Sequence, residues 1–148
     1  MRSKWSILIV DDEFGVRESL RMILKSYYDM YTAADGEEAL RIIKERKIHL
    51  ITLDLNMPKL SGIDTLREIR RIDGEVPIII ITGYGTQQDQ KEALLYGVRA
   101  FISKPFNIRE IITVIDGKLG ERIEQKKRGI QKRDLRNVKT YILRLFVE

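Results

Sequence analysis

The sequence predicts an α/β fold in which one open, parallel β-sheet carries helices on both faces. Short apolar runs recur along the chain without alternating polar and apolar residues, which is typical of strands covered on both faces. Segments with helical apolar spacing separate these runs, so that strand and helix alternate five times. Because parallel neighbours need crossover connections, the alternation predicts a doubly wound five-stranded sheet.

Five apolar runs predict the strands, and the second of them is the weakest. They cover residues 7–10, 30–33, 50–53, 76–81 and 100–102. Between and after them, apolar residues spaced three or four apart predict the helices. The stripes comprise Val16, Leu20, Ile23, Leu24 and Tyr27; Ala39, Leu40 and Ile43; Ile63, Leu66, Ile69 and Ile72; and Ile108, Ile111, Ile112, Ile115 and Leu119. A less amphipathic helix is expected over residues 87–96.

Composition favours one compact globular domain. The 148 residues are 43% hydrophobic and 33% charged, which is enough apolar material for a core. The absence of cysteine excludes disulfides and thiolate metal sites, and a single histidine, His49, argues against His-rich zinc sites and Ser-His-Asp hydrolysis. We expect neither a secretory signal nor a membrane span, and therefore a cytoplasmic location.

The net charge of +5 is concentrated near the end of the chain. Residues 1–117 carry 17 Lys/Arg and 18 Asp/Glu, whereas residues 118–148 carry 10 and 4. We predict one domain over residues 1–119 and a basic amphipathic helical extension over residues 120–148. The apolar positions of the extension are Leu135, Val138, Ile142 and Leu145.

The extension has three candidate roles. Its heptad-like apolar spacing favours a coiled coil or a docking helix. The alternatives are a helix packed on its own domain and contact of the basic face with a membrane surface or nucleic acid. Gly120 and Gly129 argue against one unbroken helix running on from the fifth helix.

Polar residues follow four of the predicted strands. In open parallel sheets, reactive groups gather at the carboxyl ends of the strands. Each of these residues alone could be a helix cap or a turn former, but four loops supplying such groups together favour a common site. The groups are Asp11-Asp12-Glu13, Asp54, Thr82 and Lys104.

The chemistry of this set points to phosphoryl transfer. Clustered carboxylates repel one another unless a cation joins them, and an all-oxygen set suits Mg²⁺ or Mn²⁺. A lysine nearby would pair with an anion, and phosphoryl is an anion that also binds Mg²⁺. Because an aspartate carboxylate can form an acyl phosphate, we hypothesise an aspartate that accepts a phosphoryl group beside a divalent ion.

These motifs together resemble the receiver domain of two-component response regulators, of which the chemotaxis-type, CheY-like regulators are the simplest. The resemblance covers about residues 5 to 119 and implies a flavodoxin-like (βα)5 fold with strand order 2-1-3-4-5. Four motifs in order at matching separations carry it. They are Val10-Asp11-Asp12-Glu13, Leu53-Asp54-Leu55-Asn56-Met57-Pro58 with Gly62, Ile81-Thr82-Gly83, and Phe101-Ile102-Ser103-Lys104-Pro105-Phe106.

The resemblance implies a role for each acidic residue of the site. Asp54 looks like the phosphoacceptor, which takes its phosphoryl group from a histidine kinase. Asp11 and Asp12 look like the acidic pair that holds Mg²⁺, together with Asp54 and the backbone carbonyl of Asn56. Such an ion would neutralise charge on the transferring group and orient it for in-line attack.

The remaining motif residues are implied to bind or sense the phosphoryl group. Thr82 resembles the switch hydroxyl, and Lys104 resembles the partner of another phosphoryl oxygen, with a bond to Pro105 that is typically cis in the family. Phe101 stands where the family often has a switch tyrosine, so that its ring can couple to Thr82 through packing but not through a hydroxyl. Asn56 and Tyr84 are expected to govern water access and the lifetime of the acyl phosphate.

The implied function is a switch that acts through its partners. Phosphorylation would remodel the face of helix 4, strand 5 and helix 5. The expected partners are a sensor histidine kinase or phosphotransfer protein and a downstream protein target, and a homodimer through that face or the C-terminal helix is a further candidate. We do not expect direct binding of nucleic acid. Such a switch is not a conventional enzyme, since it catalyses only its own phosphorylation and dephosphorylation.

Two other functions remain open at this point. The chain could be the receiver of a transcription factor of the sigma-54 activator type, whose output domains lie outside this sequence. It could also be an aspartate-nucleophile phosphatase. The phosphatase is disfavoured because such enzymes usually carry a second aspartate two residues after the nucleophile, where this chain has Asn56.

Overall fold

A computed structural model describes residues 5–83 and 85–127 of the chain. Tyr84 and the apolar positions from Leu135 to Leu145 therefore lie outside the described residues. Strands and helices alternate from the first element to the last. In chain order they are β1 (Ser6–Val10), α1 (Phe14–Leu24), β2 (Asp29–Ala33), α2 (Gly36–Glu45), β3 (Leu50–Leu53), α3 (Gly62–Ile72), β4 (Ile78–Thr82), α4 (Gln87–Leu95), β5 (Ala100–Ser103) and α5 (Ile108–Lys127).

The five strands form one sheet in the order β2-β1-β3-β4-β5, and every neighbouring pair is parallel. The predicted fold class and strand order are confirmed. Val10 pairs with Leu53, and Leu53 pairs with Ile80 on the next strand. This register aligns the carboxyl ends of β1, β3 and β4, so the loops that follow them meet at one edge of the sheet.

The hydrophobic core lies in two layers, one on each face of the sheet. Because successive side chains of a strand point to opposite faces, Ile7 and Ile9 of β1 pack into one layer, and Leu8 and Val10 pack into the other. The first layer is completed by α1 and α5, and the second by α2, α3 and α4. These four side chains of β1 are at most 1% exposed, which explains why the strand sequences read as continuous apolar runs.

The first helix ends earlier than its apolar spacing predicted. Because α1 stops at Leu24, Tyr27 lies beyond it and is 59% exposed. The buried aromatic residue is instead Tyr28, whose hydroxyl donates a hydrogen bond to the carboxylate of Asp116 on α5. The apolar spacing therefore predicts a first helix that is one turn longer than α1.

Three further expectations for the helices need correction. Ile72 and Ile108, at helix ends, are 40% and 45% exposed rather than part of the core. The last helix continues through Gly120 to Lys127, so glycine does not end it there. Leu119 and Ile115 are buried, and packing of this kind outweighs the roughly 1 kcal/mol by which glycine is disfavoured in a helix. Gly129 lies outside the described residues.

Within residues 5–83 and 85–127, no helix is both long enough and apolar enough to cross a membrane.

Candidate functional site

The site begins where β3 ends beside β1. The backbone N–H of Asp54 donates to the carbonyl of Val10 at 3.0 Å, so the pairing of the two strands continues to this residue. On the other side of β1, the N–H of Asp11 donates to the carbonyl of Ala33 at 3.1 Å. The sheet thus fixes the backbone of both aspartates, and the side chain of each is 4% exposed.

The loop after Asp54 is held by a close approach of α3. A Cβ atom at Gly62 would lie 2.3 Å from the Cα of Leu55 and 2.5 Å from the carbonyl oxygen of Asp54, so only glycine fits there without a backbone shift. The hydroxyl of Ser61 caps α3 by accepting from the N–H of Asp64. Within the loop, the N–H of Asn56 donates to Asp54 Oδ1 at 3.0 Å and orients that carboxylate.

Lys104 reaches the acidic residues from the end of β5. Its Nζ lies 2.8 Å from Asp54 Oδ2, 2.7 Å from Asp11 Oδ2 and 3.0 Å from Glu13 Oε1. Its backbone N–H donates to the carbonyl of Thr82 at 3.0 Å, and its peptide bond to Pro105 is cis. The ammonium group therefore joins the ends of three different strands.

Thr82 binds the other carboxylate oxygen of Asp54. Its hydroxyl donates to Asp54 Oδ1 at 2.8 Å, while Lys104 donates to Oδ2. Both carboxylate oxygens thus have side-chain donors, and these same donors could bind oxygens of a group attached to Asp54.

Burial and the neighbouring charges shift the pKa values of the site residues in opposite directions. Burial raises the pKa of Asp11, and the hydrogen bonds from Lys104 and from the N–H of Glu13 oppose this only in part. Burial alone would lower the pKa of Lys104, but hydrogen bonds to Asp11, Asp54 and Glu13 outweigh it and raise that pKa above its ordinary value. Lys104 is consequently a permanent cation at neutral pH.

The acidic residues could hold a metal ion. Carboxylate oxygens of Asp11, Asp12, Glu13 and Asp54 lie within 4.8 Å of one another, and Asp12 and Glu13 are open to solvent. The set offers only oxygen ligands, and four carboxylates exceed the single positive charge of Lys104. This donor set and excess negative charge fit a hard divalent cation.

The structure brings most of the predicted site residues together. One open cleft of about 570 Å³ is lined by Asp12, Asp54, Asn56, Thr82, Lys104 and Pro105, with Glu13, Val16, Gly83 and Phe106. Asp11 lies beneath it, bonded to Lys104. Phe101 does not line this cleft; it is half-buried on β5 and packs against the core layer of α2, α3 and α4.

Two contacts of the site were not foreseen from the sequence. Glu13 bonds to Lys104, and the guanidinium of Arg17 donates to the carbonyl oxygen of Asp11 at 2.7 Å. The position of Glu13 directly after the acidic pair was a usable signal. The position of Arg17, one turn into α1, gave no such signal, because many charged residues occupy such positions on solvent-facing turns.

A parallel sheet of this order, with clustered acids, a threonine and a lysine at its carboxyl edge, defines the class of CheY-like signalling domains. The chain belongs to the response regulator receiver domain family of two-component systems, whose sequence profile matches residues 7–116. Receiver domains of this family interact with histidine kinases or phosphotransfer proteins.

Known relatives agree with this assignment. The chain is 37% identical over 106 residues to the sporulation initiation phosphotransferase F of Bacillus subtilis, with 71% of this chain and 86% of that protein covered. It is 41% identical over 109 residues to "Probable transcriptional regulator ycf27" of Porphyridium aerugineum, with 73% of this chain covered. That match spans 45% of the relative, so the chain covers less than half the length of that regulator.

Solved structures show the same fold. A CheY-like receiver domain protein from Methanospirillum hungatei superposes with a TM-score of 0.81 at 30% identity, over 83% of this chain and 99% of that one. A structure titled as the CheX-CheY-BeF3-Mg²⁺ complex from Borrelia burgdorferi superposes with a TM-score of 0.68 at 34% identity, over 75% and 86%.

Proposed function

We propose that Asp54 accepts a phosphoryl group from a phosphohistidine donor and that the domain thereby switches between two states. The observation that carries the proposal is the pair of side-chain donors on the Asp54 carboxylate, Lys104 on one oxygen and Thr82 on the other, beside the acidic cluster. In the transfer, a carboxylate oxygen of Asp54 forms the new P–O bond while the bond from phosphorus to the donor nitrogen breaks. The released imidazole takes up a proton from solvent.

The acidic cluster would hold Mg²⁺, or Mn²⁺, through Asp11, Asp12, Asp54 and the carbonyl of Asn56. When bound, the ion would neutralise charge on the transferring group. The Borrelia burgdorferi CheX-CheY complex contains BeF3 and Mg²⁺, which supports this assignment. Asp11 and Asp12 would contribute ligand oxygens from the loop after β1, and Asn56 orients Asp54 through its own N–H.

The switch would start at the two donors of Asp54. After transfer, Thr82 and Lys104 donate to phosphoryl oxygens, so the loop after β4 and the end of β5 are drawn toward Asp54. Phe101, half-buried on β5, would then repack in the space that Thr82 leaves. The face of α4, β5 and α5 changes as a result, and a downstream protein, or a second copy of the chain, would read it.

Intact mass spectrometry tests the proposal directly. Incubation with acetyl phosphate and Mg²⁺ should add one phosphoryl group that hydroxylamine removes. Asp54→Asn and Asp54→Ala should abolish the adduct, whereas Asp64→Asn, at a half-exposed carboxyl in the first turn of α3, should keep it. An unmodified wild-type chain, or an adduct that survives in both Asp54 variants, would overturn the assignment.

The lifetime of the adduct would depend on the residues around the phosphoryl group. Asn56 lines the cleft, and Tyr84, which lies outside the described residues, follows Thr82 by two positions. We expect Asn56→Ala and Tyr84→Ala each to change the dephosphorylation rate, measured by loss of the adduct after the donor is removed. An unchanged rate in both variants would contradict this role.

A second candidate output is control of transcription. Relatives such as the Porphyridium aerugineum protein are named transcriptional regulators, and their similarity to this chain is confined to under half of their length. The natural reading frame provides the test: an output domain encoded beyond Glu148 would favour the transcription-factor alternative, and a stop codon there would favour a switch that acts through protein contacts alone.

A further inference from the structure

Glu13 stands at the N-cap of α1 but does not cap it. Its backbone is extended, with φ −84° and ψ 113°. The structure describes every residue of α1, and the Glu13 side chain makes no hydrogen bond to the first turn of this helix. Its N–H is instead bonded to Asp11 Oδ1 at 2.9 Å, and its carboxylate accepts from Lys104 at 3.0 Å. The side chain is therefore turned toward the proposed phosphorylation site.

The ammonium group of Lys104 has three N–H donors, and three carboxylates surround it. The side chains of Asp11 and Asp54 are 4% exposed, whereas that of Glu13 is 61% exposed. In the acyl phosphate Asp54 is no longer a carboxylate, so a phosphoryl oxygen takes over the N–H that Asp54 held. Lys104 has to turn toward the phosphoryl group to reach it, and of the two carboxylates that remain, Glu13 is the one that it can leave at least cost, because water can solvate the Glu13 carboxylate.

We propose that Glu13 is a positioning residue that holds Lys104 in the unphosphorylated state and competes with the phosphoryl group for it. The proposal rests on the proposed function of Asp54. The same carboxylate adds negative charge beside the expected cation site. Glu13 thus strengthens binding of a divalent cation and, through Lys104, opposes phosphorylation.

Two substitutions separate the charge of Glu13 from its contact with Lys104. Glu13→Gln removes the charge, whereas Glu13→Asp keeps it but withdraws the carboxylate by one methylene. Glu18→Gln is the matched control, because Glu18 lies on the same helix and pairs locally with Arg21. Mg²⁺ binding is measured by calorimetry on the full chain, and the rate constant of phosphorylation by acetyl phosphate is measured at saturating Mg²⁺.

Cation binding should follow the charge of residue 13, and the phosphorylation rate should follow the strength of its hydrogen bond to Lys104, which an uncharged glutamine weakens and a shorter aspartate withdraws. Glu13→Gln should weaken Mg²⁺ binding by about three- to tenfold, as expected for the loss of one screened charge beside a divalent ion, whereas Glu13→Asp should stay within about twofold of wild type. Both variants should be phosphorylated about two- to fivefold faster than wild type at saturating Mg²⁺. Glu18→Gln should match wild type in both measurements.

The outcomes separate this proposal from the one on which it rests. If the wild-type chain forms no adduct at Asp54, the proposed function fails and the role of Glu13 fails with it. If the wild type reacts but Glu13→Gln reacts no faster, or Glu13→Asp keeps the wild-type rate, the competition for Lys104 is refuted alone. Unchanged Mg²⁺ affinity in Glu13→Gln would refute the contribution to cation binding.

Discussion

Asp11 carries a negative charge that its surroundings do not favour. Because burial raises its pKa, the folded state holds the proton on this carboxyl to a higher pH than the unfolded state does. The stability that Asp11 contributes is therefore complete below its unfolded pKa and is lost as the pH rises through its folded pKa. A divalent cation requires the ionised carboxylate and should compensate for this loss.

Because the pKa of Asp11 is raised, we predict that the stabilisation of the fold by Mg²⁺ grows with pH. As the pH is raised from the ordinary pKa of an aspartate, about 3.9, to neutrality, the rise in melting temperature on adding Mg²⁺, relative to EDTA, should increase as Asp11 loses its proton. Differential scanning calorimetry of wild type and Asp11→Asn measures it, and the increase should be smaller in the variant. An Mg²⁺ effect that is equally large at both ends of this range would contradict the prediction.

Much of the site could be predicted at the level of single residues, because each motif follows a strand whose apolar run is plain in the sequence. The strand ends place Asp54, Thr82 and Lys104 at one edge once the sheet is parallel. The contact between Glu13 and Lys104 was less accessible, because it joins residues 91 positions apart and depends on the rotamer of an exposed side chain. The position of Glu13 after the acidic pair indicates that it lies near the site, but not that it bonds to Lys104.

At the scale of elements, α4 is attached to the domain differently from the other helices. Ala93 is its one fully buried residue, in keeping with the weak amphipathicity of its sequence. Polar contacts from α3 supplement this packing: Arg67 pairs with Glu92, and Arg70 Nε donates to the carbonyl of Tyr96 at 2.6 Å. The helix that should move in the switch is thus held by polar contacts from α3 as well as by the packing of Ala93.

Arg70 is expected to be the strongest of these attachments. It also donates to the carbonyl of Val76 at 2.7 Å, and burial lowers its pKa to about 10, so it remains charged at neutral pH. Arg70→Met should reduce the free energy of unfolding by about 1–3 kcal/mol, because it leaves backbone carbonyls without their donor. Urea denaturation measures the loss, and hydrogen exchange in α4 should increase.

The neighbouring Arg71 provides the control for this substitution. Its guanidinium pairs with Glu68 one turn away, and its side chain is 75% exposed. Arg71→Met should change the free energy of unfolding by less than about 0.5 kcal/mol. Equal effects at the two positions would show that Arg70 acts as an ordinary surface charge.

The helices also show where apolar spacing stops being informative. It located four of the five helices, all but the weakly amphipathic α4, but it placed Tyr27 in α1 and Ile72 and Ile108 in the core. Apolar periodicity continues past the point where a helix still touches the sheet. Helix ends depend on tertiary contacts such as the hydrogen bond of Tyr28 with Asp116, which no local pattern shows.

At the scale of the whole molecule, the buried residues of the two core layers lie between residues 7 and 119 within the part of the chain that the structure describes. We therefore predict that a variant ending at Lys127 folds like the full chain. Its free energy of unfolding should stay within about 1 kcal/mol of the full chain, and its rate of phosphorylation by acetyl phosphate should be unchanged. Denaturation and intact mass spectrometry on both chains provide the comparison. A loss of cooperative unfolding would show that residues 128–148 belong to the folding unit.

The bonds from Lys104 to Asp11, Asp54 and Glu13 also bear on the order in which the protein is made. During synthesis the acidic residues leave the ribosome well before the lysine, which is 50 residues behind Asp54 and 91 behind Glu13. Any early sheet of β1, β2 and β3 would bring like charges together before Lys104 is available to bind them. Repulsion between these carboxylates should therefore disfavour a compact, native-like intermediate until β5 has formed. The surroundings of Asp54 would then be the last part of the fold to be completed.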